Sequence, residues 1–137
     1  MGQKTLLVVD DEWLICMTMA DHFGAAGFKV LEASRAADAL LILAETHVDV
    51  LLSDIKMPGE MDGMELARQV RSTRPDVTVV LMSGGTSRDE IEAAFGDAVS
   101  YFTKPFDLRE LESCIRNKLQ PIADLPLPAT ASAKQLS

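Results

Sequence analysis

Three short, continuous runs of apolar residues constrain the fold of this chain more than any other feature. They occupy residues 5–9, 48–53 and 77–82 and are rich in valine and leucine. A strand is apolar along its whole length when both of its faces are covered, as they are in a parallel sheet with helices on either side. The three runs therefore predict buried central strands of a parallel sheet.

Two further segments, and the helical patterns between them, extend this prediction to a complete fold. Residues 28–33 and 98–102 are more polar, which predicts strands nearer the sheet edges. Apolar residues recur at helical spacing between the five segments, for example at Ile15, Met19 and Phe23. Strand and helix alternate five times, so we expect a doubly wound α/β fold with right-handed crossovers. In such a fold, ligands bind beyond the carboxyl ends of the strands.

Residues at the expected helix ends agree with this order. Gly27 suits the end of the first helix, because glycine readily adopts the left-handed conformation that commonly follows a last turn. Ser34 is the predicted N-cap of a helix over residues 35–45. Asp89 and Glu90 suit the positive amino end of the fourth helix.

Length and composition indicate one domain with protein partners. The 137 residues predict a single domain over residues 1–120 and a flexible Pro- and Ala-rich tail over residues 121–137. A net charge of −8 disfavours direct DNA binding. No apolar run has the length of a membrane span and no secretory signal opens the sequence, so we expect a cytoplasmic protein.

Charged side chains gather where the predicted strands end. Asp10 and Asp11 follow the first strand, Asp54 follows the third, and Lys104 lies just beyond the fifth. Asp10 and Asp11 could by themselves simply cap a loop. Three carboxylates at one edge of a sheet repel one another, so either a pKa rises strongly or a divalent cation holds them ionised. A hard cation with oxygen ligands, Mg²⁺ first, is the simplest answer.

Two more features complete the same edge. Ser83 ends the fourth predicted strand before Gly84 and Gly85, which places a hydroxyl where a ligand can come close, although Ser-Gly-Gly is also a common turn. Lys104 precedes Pro105, which holds its backbone extended and allows a cis bond. An ammonium group held in this way can pair with an anion.

Together these motifs resemble the receiver domain of two-component response regulators, a CheY-like, flavodoxin-like family. The resemblance runs from about residue 4 to residue 119 and rests on Val9-Asp10-Asp11-Glu12, Asp54 with Met57-Pro58, Asp62-Gly63, Ser83 and Lys104-Pro105-Phe106. One such motif would be weak, but five in the right order are specific. The resemblance implies a five-stranded parallel sheet with strand order 2-1-3-4-5.

The same resemblance implies a role for each site residue. Asp54 is the implied nucleophile and phosphoacceptor, with Lys104 and Ser83 assisting. The implied switch residues are Ser83 and Tyr101, although Tyr101 could also be an edge-strand aromatic with its hydroxyl in water. The implied cofactor is Mg²⁺, with Asp10, Asp11, Asp54 and the backbone carbonyl of Lys56 as its ligands.

The implied function is that of a phosphoacceptor signalling module, not of an enzyme acting on other substrates. A histidine kinase or histidine phosphotransfer protein would supply the phosphoryl group from a phosphohistidine. The face formed by the fourth helix, fifth strand and fifth helix would then control a separate partner protein, or the phosphoryl group would pass on. A dimer could also form through the same face. The alternative is a metal-dependent phosphatase or phosphotransferase with an aspartyl-phosphate intermediate. A flavin-binding module fits less well, since the acidic loop after the first strand would repel a phosphate.

Some positions depart from the family pattern or tune it. Residues 57–63 carry one residue more than usual, near Gly59 and Glu60, and the interval between the serine and lysine motifs is about one residue short. We expect both changes to affect the choice of partner. Lys56 and Gly85 occupy positions where the family tunes hydrolysis of the acyl phosphate.

The first predicted helix is more apolar than one buried stripe requires. Its excess apolar residues include Trp13 and Met17. Such an excess often marks a protein interface, and kinases and phosphotransfer proteins of the family dock near this helix; the alternative is that both residues shield the core edge. Cys16 and Cys114 lack metal-ligand spacing and are expected to be reduced packing thiols.

Overall fold

In the computed structural model, which describes residues 2–85 and 88–119, five strands alternate with five helices. The strands are β1 (Thr5–Val9), β2 (Lys29–Ala33), β3 (Val50–Asp54), β4 (Thr78–Ser83) and β5 (Val99–Thr103). The helices are α1 (Trp13–Ala25), α2 (Ala36–Glu45), α3 (Gly63–Thr73), α4 (Arg88–Phe95) and α5 (Leu108–Leu119). The predicted tail, residues 121–137, lies outside the described residues.

The strands form one parallel sheet in the order β2-β1-β3-β4-β5. This confirms the predicted strand order and the doubly wound α/β fold. The continuous apolar runs became the central strands, since every residue of β1 and β3 is buried. The two more polar segments became the edge strands β2 and β5, as their composition predicted.

Helices cover both faces of this sheet and build a core on each. Side chains alternate along a strand, so Leu6 and Val8 of β1 pack with α1 and α5, while Leu7 and Val9 pack with α2, α3 and α4. The faces of the sheet are therefore apolar. Polar groups that act together must lie at the ends of the strands.

Most predicted helix ends are confirmed, and one is wrong. Gly27 follows α1 with a φ of +102°, and Asp89 lies in the first turn of α4. The prediction of Ser34 as an N-cap is wrong, because α2 begins at Ala36 with Arg35 in the N-cap position and no side-chain cap. Ala36 is buried in the core, so packing of this methyl group, not a hydroxyl cap, sets the start of α2.

Helix α1 leaves large apolar side chains on the surface. Trp13 is 72% exposed, Leu14 56% and Met17 44%, and none of them belongs to either core. Trp13 and Met17 therefore do not shield the core edge. Over the described ranges, no helix combines the length and the apolar character needed to cross a bilayer.

Candidate functional site

The polar residues singled out in the sequence meet at the carboxyl edge of the sheet. Asp10 follows β1, Asp54 ends β3 and Ser83 ends β4. Lys104 follows β5, and its backbone N–H donates a hydrogen bond of 2.9 Å to the carbonyl of Ser83. The Lys104–Pro105 bond is cis. Parallel strands thus bring four distant parts of the chain to one place.

Three carboxylates form what we call the acid cluster: Asp10, Asp11 and Asp54. Each contributes an oxygen, and these oxygens lie within 4.8 Å of one another. Asp10 is fully buried and Asp54 nearly so, whereas Asp11 is exposed. Burial, together with the charge of Asp10, raises the pKa of Asp54 above its ordinary value. The electrostatic repulsion expected from the sequence is therefore present between Asp10 and Asp54.

The side chain of Lys104 reaches into this cluster. Its Nζ lies 3.1 Å from Oδ2 of Asp10, 3.5 Å from Oδ2 of Asp54 and 3.8 Å from Oε1 of Glu12. Burial by itself lowers the pKa of Lys104, but the hydrogen bond to Asp10 and the surrounding negative charges outweigh burial and raise it. Lys104 is thus a protonated cation beside the acid cluster, and it partly offsets the raised pKa of Asp54.

The donors of the acid cluster suit a hard divalent cation. Oδ1 of Asp10 accepts the N–H of Glu12 at 2.9 Å and Oδ2 accepts from Lys104, so this buried carboxylate is fixed in orientation. Clustered carboxylate oxygens are the ligands that Mg²⁺ prefers. The residues present therefore fit the predicted cofactor. The backbone carbonyl of Lys56 as a further ligand stays a prediction.

The loop after Asp54 is held by the Asp62-Gly63 motif. A Cβ on Gly63 would collide with the carbonyl of Asp54, so only glycine allows this close approach of α3 to the end of β3. Oδ1 of Asp62 accepts the N–H of Glu65 at 3.0 Å and caps α3. The motif thus fixes the backbone directly behind Asp54.

Gly59 and Glu60, near which the sequence predicts one residue more than the family pattern, lie in the same loop on the side facing α2. Gly59 has a φ of +104°, which glycine adopts most readily, and the Arg35 guanidinium lies next to it. Together with Pro58 and Met61 they border a cavity of about 380 Å³. None of the acid-cluster residues lines this cavity, and an effect of the extra residue on the choice of partner stays a prediction.

Ser83 connects the pocket to β5. Its Oγ accepts the N–H of Gly85 at 3.1 Å, so Ser-Gly-Gly does form a turn, and its carbonyl accepts the Tyr101 hydroxyl at 3.5 Å. Tyr101 is 8% exposed and belongs to the core, so it is not an edge aromatic in water. The Lys56 ammonium lies beside Gly85, which brings the two tuning positions together.

A buried thiol lies beneath the acid cluster. Sγ of Cys16 donates to the carbonyl of Asp10 at 3.4 Å. Burial, followed by the charges of Glu32 and Asp10, raises the pKa of Cys16 to about 11. The thiol stays protonated at neutral pH. Cys16 and Cys114 are both free, as expected of packing cysteines.

Two residues at this end of the molecule received no role from the sequence. Glu12 lies within ion-pair distance of Lys104, and its position next to Asp11 was the available signal. Arg88 places its guanidinium carbon 5.5 Å from the centre of the Tyr101 ring. No sequence pattern predicts this contact, because it joins two different elements, the first residue of α4 and the middle of β5.

Comparisons with known proteins agree on one family. The family model for the response regulator receiver domain matches residues 6–116. Regulatory protein AtoC of Escherichia coli strain K12 is 36% identical over 116 residues, which cover 84% of this chain and 25% of AtoC. Sporulation initiation phosphotransferase F of Bacillus subtilis strain 168 is 29% identical over 120 residues, which cover 87% of this chain and 96% of that protein. The chain thus spans about a quarter of AtoC and nearly all of the phosphotransferase.

A solved structure agrees as well. The response regulator protein TrrA of Thermotoga maritima, in complex with Mg(2+)-BeF, is 28% identical and superposes with a TM-score of 0.76. The match covers 85% of this chain and all of that one. That protein has the same fold as this chain, and it was solved with Mg(2+)-BeF bound.

Proposed function

The chain belongs to the family of response regulator receiver domains, and on this basis we propose that Asp54 is the residue that accepts the phosphoryl group. Receiver domains are the phosphoacceptor modules of two-component systems. The observation that carries the assignment of Asp54 is its place at the end of a central strand, with Asp10 on one side and the Lys104 ammonium 3.5 Å away. Asp10, by contrast, is fully buried and already bonded through both of its oxygens.

Each neighbouring group then has a share in the transfer. A carboxylate oxygen of Asp54 attacks phosphorus in line, so that an O–P bond forms as the P–N bond of the donor phosphohistidine breaks and the electron pair returns to the imidazole. Lys104 offsets charge on the phosphoryl oxygens. Asp10, Asp11, Asp54 and the Lys56 carbonyl would hold Mg²⁺, which would supply positive charge to offset the charges of the carboxylates and of the phosphoryl oxygens.

The signal leaves the pocket through Ser83. Its hydroxyl lies at the same edge of the sheet and can donate a hydrogen bond to a phosphoryl oxygen on Asp54. Its carbonyl accepts the Tyr101 hydroxyl, so a movement of Ser83 changes the environment of Tyr101. Phosphorylation would therefore shift the population of two arrangements of the surface formed by α4, β5 and α5, which we call the switch face.

The phosphodonor would dock on α1. Trp13, Leu14 and Met17 are exposed apolar residues at the end of α1 that lies next to Asp11. An apolar groove of about 420 Å³ continues from Ile15 to Phe106, beside Lys104. This surface fits the apolar face of a helix in a histidine kinase or histidine phosphotransfer protein.

The fate of the phosphoryl group completes the proposal. In the cytoplasm, the protein would catalyse only its own phosphorylation and the hydrolysis of its own acyl phosphate. Its switch face would control a separate effector or form a dimer. Onward transfer of the phosphoryl group is the second candidate. It is favoured by the relative of nearly equal length, which is named a phosphotransferase. The net charge of −8 argues against direct binding to DNA.

Intact-mass spectrometry tests this function. We expect the full chain, incubated with acetyl phosphate and Mg²⁺, to gain one phosphoryl group, and Asp54→Asn to gain none. Asp76→Asn, which alters an exposed aspartate in the loop before β4, is the matched control and should behave like the wild type. Uptake by Asp54→Asn would contradict the assignment, and multiple turnover of unrelated phosphate esters would favour a phosphatase.

A further inference from the structure

The contact between Arg88 and Tyr101 is not used by the chemistry of the acid cluster. The Arg88 side chain is exposed, and its guanidinium carbon lies 5.5 Å from the centre of the buried Tyr101 ring. An arginine at this distance is attracted by the electrons of the ring face. The ring is thus joined to Ser83 through its hydroxyl and to α4 through its face.

The position of Arg88 in its helix makes this contact informative. It is the first residue of α4, where the helix dipole is positive and disfavours a cation. The next two residues, Asp89 and Glu90, have the sign that such a position favours. The attraction of the Tyr101 ring offsets this unfavourable position of the Arg88 charge.

Apolar side chains attach helix α4 to the core at two positions. It is eight residues long, Ile91 is its one buried residue, and Phe95 packs partly against the core. Both of these lie toward the middle and the carboxyl end of the helix. The Arg88 contact joins the amino end of α4, the end nearer to Ser83 along the chain, to Tyr101 of β5.

From this arrangement we infer that Arg88 is a positioning residue that makes the start of α4 follow the orientation of Tyr101. The inference rests on the proposed function, because Ser83 carries the change from Asp54 to Tyr101. Without the guanidinium, the Tyr101 ring still lies in the core, but the contact that couples the start of α4 to the orientation of the ring is lost. Asp54 would then still be phosphorylated, but α4 would no longer move in response.

The chain offers a clean probe, since Tyr101 is its only tyrosine. Biosynthetic 3-fluorotyrosine gives a single ¹⁹F signal from position 101, and backbone amide spectra report on α4. The variants are Arg88→Gln, which removes the charge, and Arg88→Lys, which keeps it without the planar guanidinium. Arg109→Gln is the matched control, because Arg109 is an exposed arginine in the first turn of α5.

We expect Arg88→Gln to shift the ¹⁹F signal and to lose the change that acetyl phosphate and Mg²⁺ produce in the α4 amides. Phosphoryl uptake by intact mass and the melting temperature should stay at the wild-type values. Arg88→Lys should keep part of the response and Arg109→Gln all of it.

An unchanged α4 response in Arg88→Gln would overturn the inference, as would an equal loss in Arg109→Gln. A loss of phosphoryl uptake in Arg88→Gln would do so too, since Arg88 would then act on the pocket. Failure of the wild type to take up a phosphoryl group would instead overturn the proposed function, so the two failures are distinguishable.

Discussion

The acid cluster and the switch face differ in how firmly their residues are held in place. The cluster lies mainly at the ends of β1 and β3, the two strands whose residues are all buried, and Lys104 binds Asp10 at 3.1 Å. Tyr101 lies on the edge strand β5 and is held by a 3.5 Å hydrogen bond and a cation–π contact. Central strands fix charged groups in place for chemistry. The proposed switch requires a second arrangement at the switch face, and an edge strand with a short helix is where a second arrangement would cost least.

The largest expected effect comes from removing the cation of the pocket. Lys104→Ala should slow phosphoryl uptake from acetyl phosphate about 100-fold, the scale of losing one preorganised charge-stabilising group. The rate is measured by intact mass over time. Lys29→Ala, which removes an exposed lysine of β2, should leave the rate unchanged. Similar rates for both variants would mean that the pocket does not depend on Lys104.

A second effect should appear in metal binding. Asp11→Asn removes one negative charge from the acid cluster and should weaken Mg²⁺ binding by at least about tenfold. Trp13 is the only tryptophan and lines a cavity of about 250 Å³ with Asp10 and Asp11, so its fluorescence can follow the titration. Asp21→Asn changes an exposed residue of α1 and serves as the control. Equal affinities would exclude Asp11 from the metal site.

The raised pKa of Asp54 predicts a pH-dependent stability. Because the folded state binds this proton more readily than the unfolded chain, the ionised carboxylate destabilises the fold at neutral pH. Asp54→Asn should therefore increase the free energy of unfolding at neutral pH without Mg²⁺, because the substitution removes the unfavourably buried charge. The gain should vanish as the pH falls through the Asp54 pKa, where the wild type becomes neutral too. Denaturant unfolding at two pH values checks this, and a gain independent of pH would refute it.

The smallest effect is expected on the switch face. Tyr101→Phe loses the hydroxyl, which donates to the Ser83 carbonyl at 3.5 Å, but keeps the buried ring, so the free energy of unfolding should fall by about 1 kcal/mol, the scale of one net hydrogen bond. Phosphoryl uptake should not change. A large loss of uptake would show that Tyr101 belongs to the pocket, and the contrast between the two regions would fail.

The sequence predicted the fold well because its signals are local. A buried parallel strand must be apolar along its length, and the polar residues that follow such strands must meet at one edge. The start of α2 was mispredicted because the burial of Ala36, which depends on the whole fold, decides it. The inward position of Tyr101 and the contact with Arg88 had no local pattern, since both depend on how α4 packs on β5.

The most direct test of the central claim is to identify the modified residue. The full chain is phosphorylated with acetyl phosphate and Mg²⁺, the acyl phosphate is reduced with borohydride, and the peptides are sequenced by mass spectrometry. We expect reduction of the side chain at position 54 and at no other aspartate. Reduction at Asp10 or Asp11, or a phosphate ester on Ser83, would contradict it.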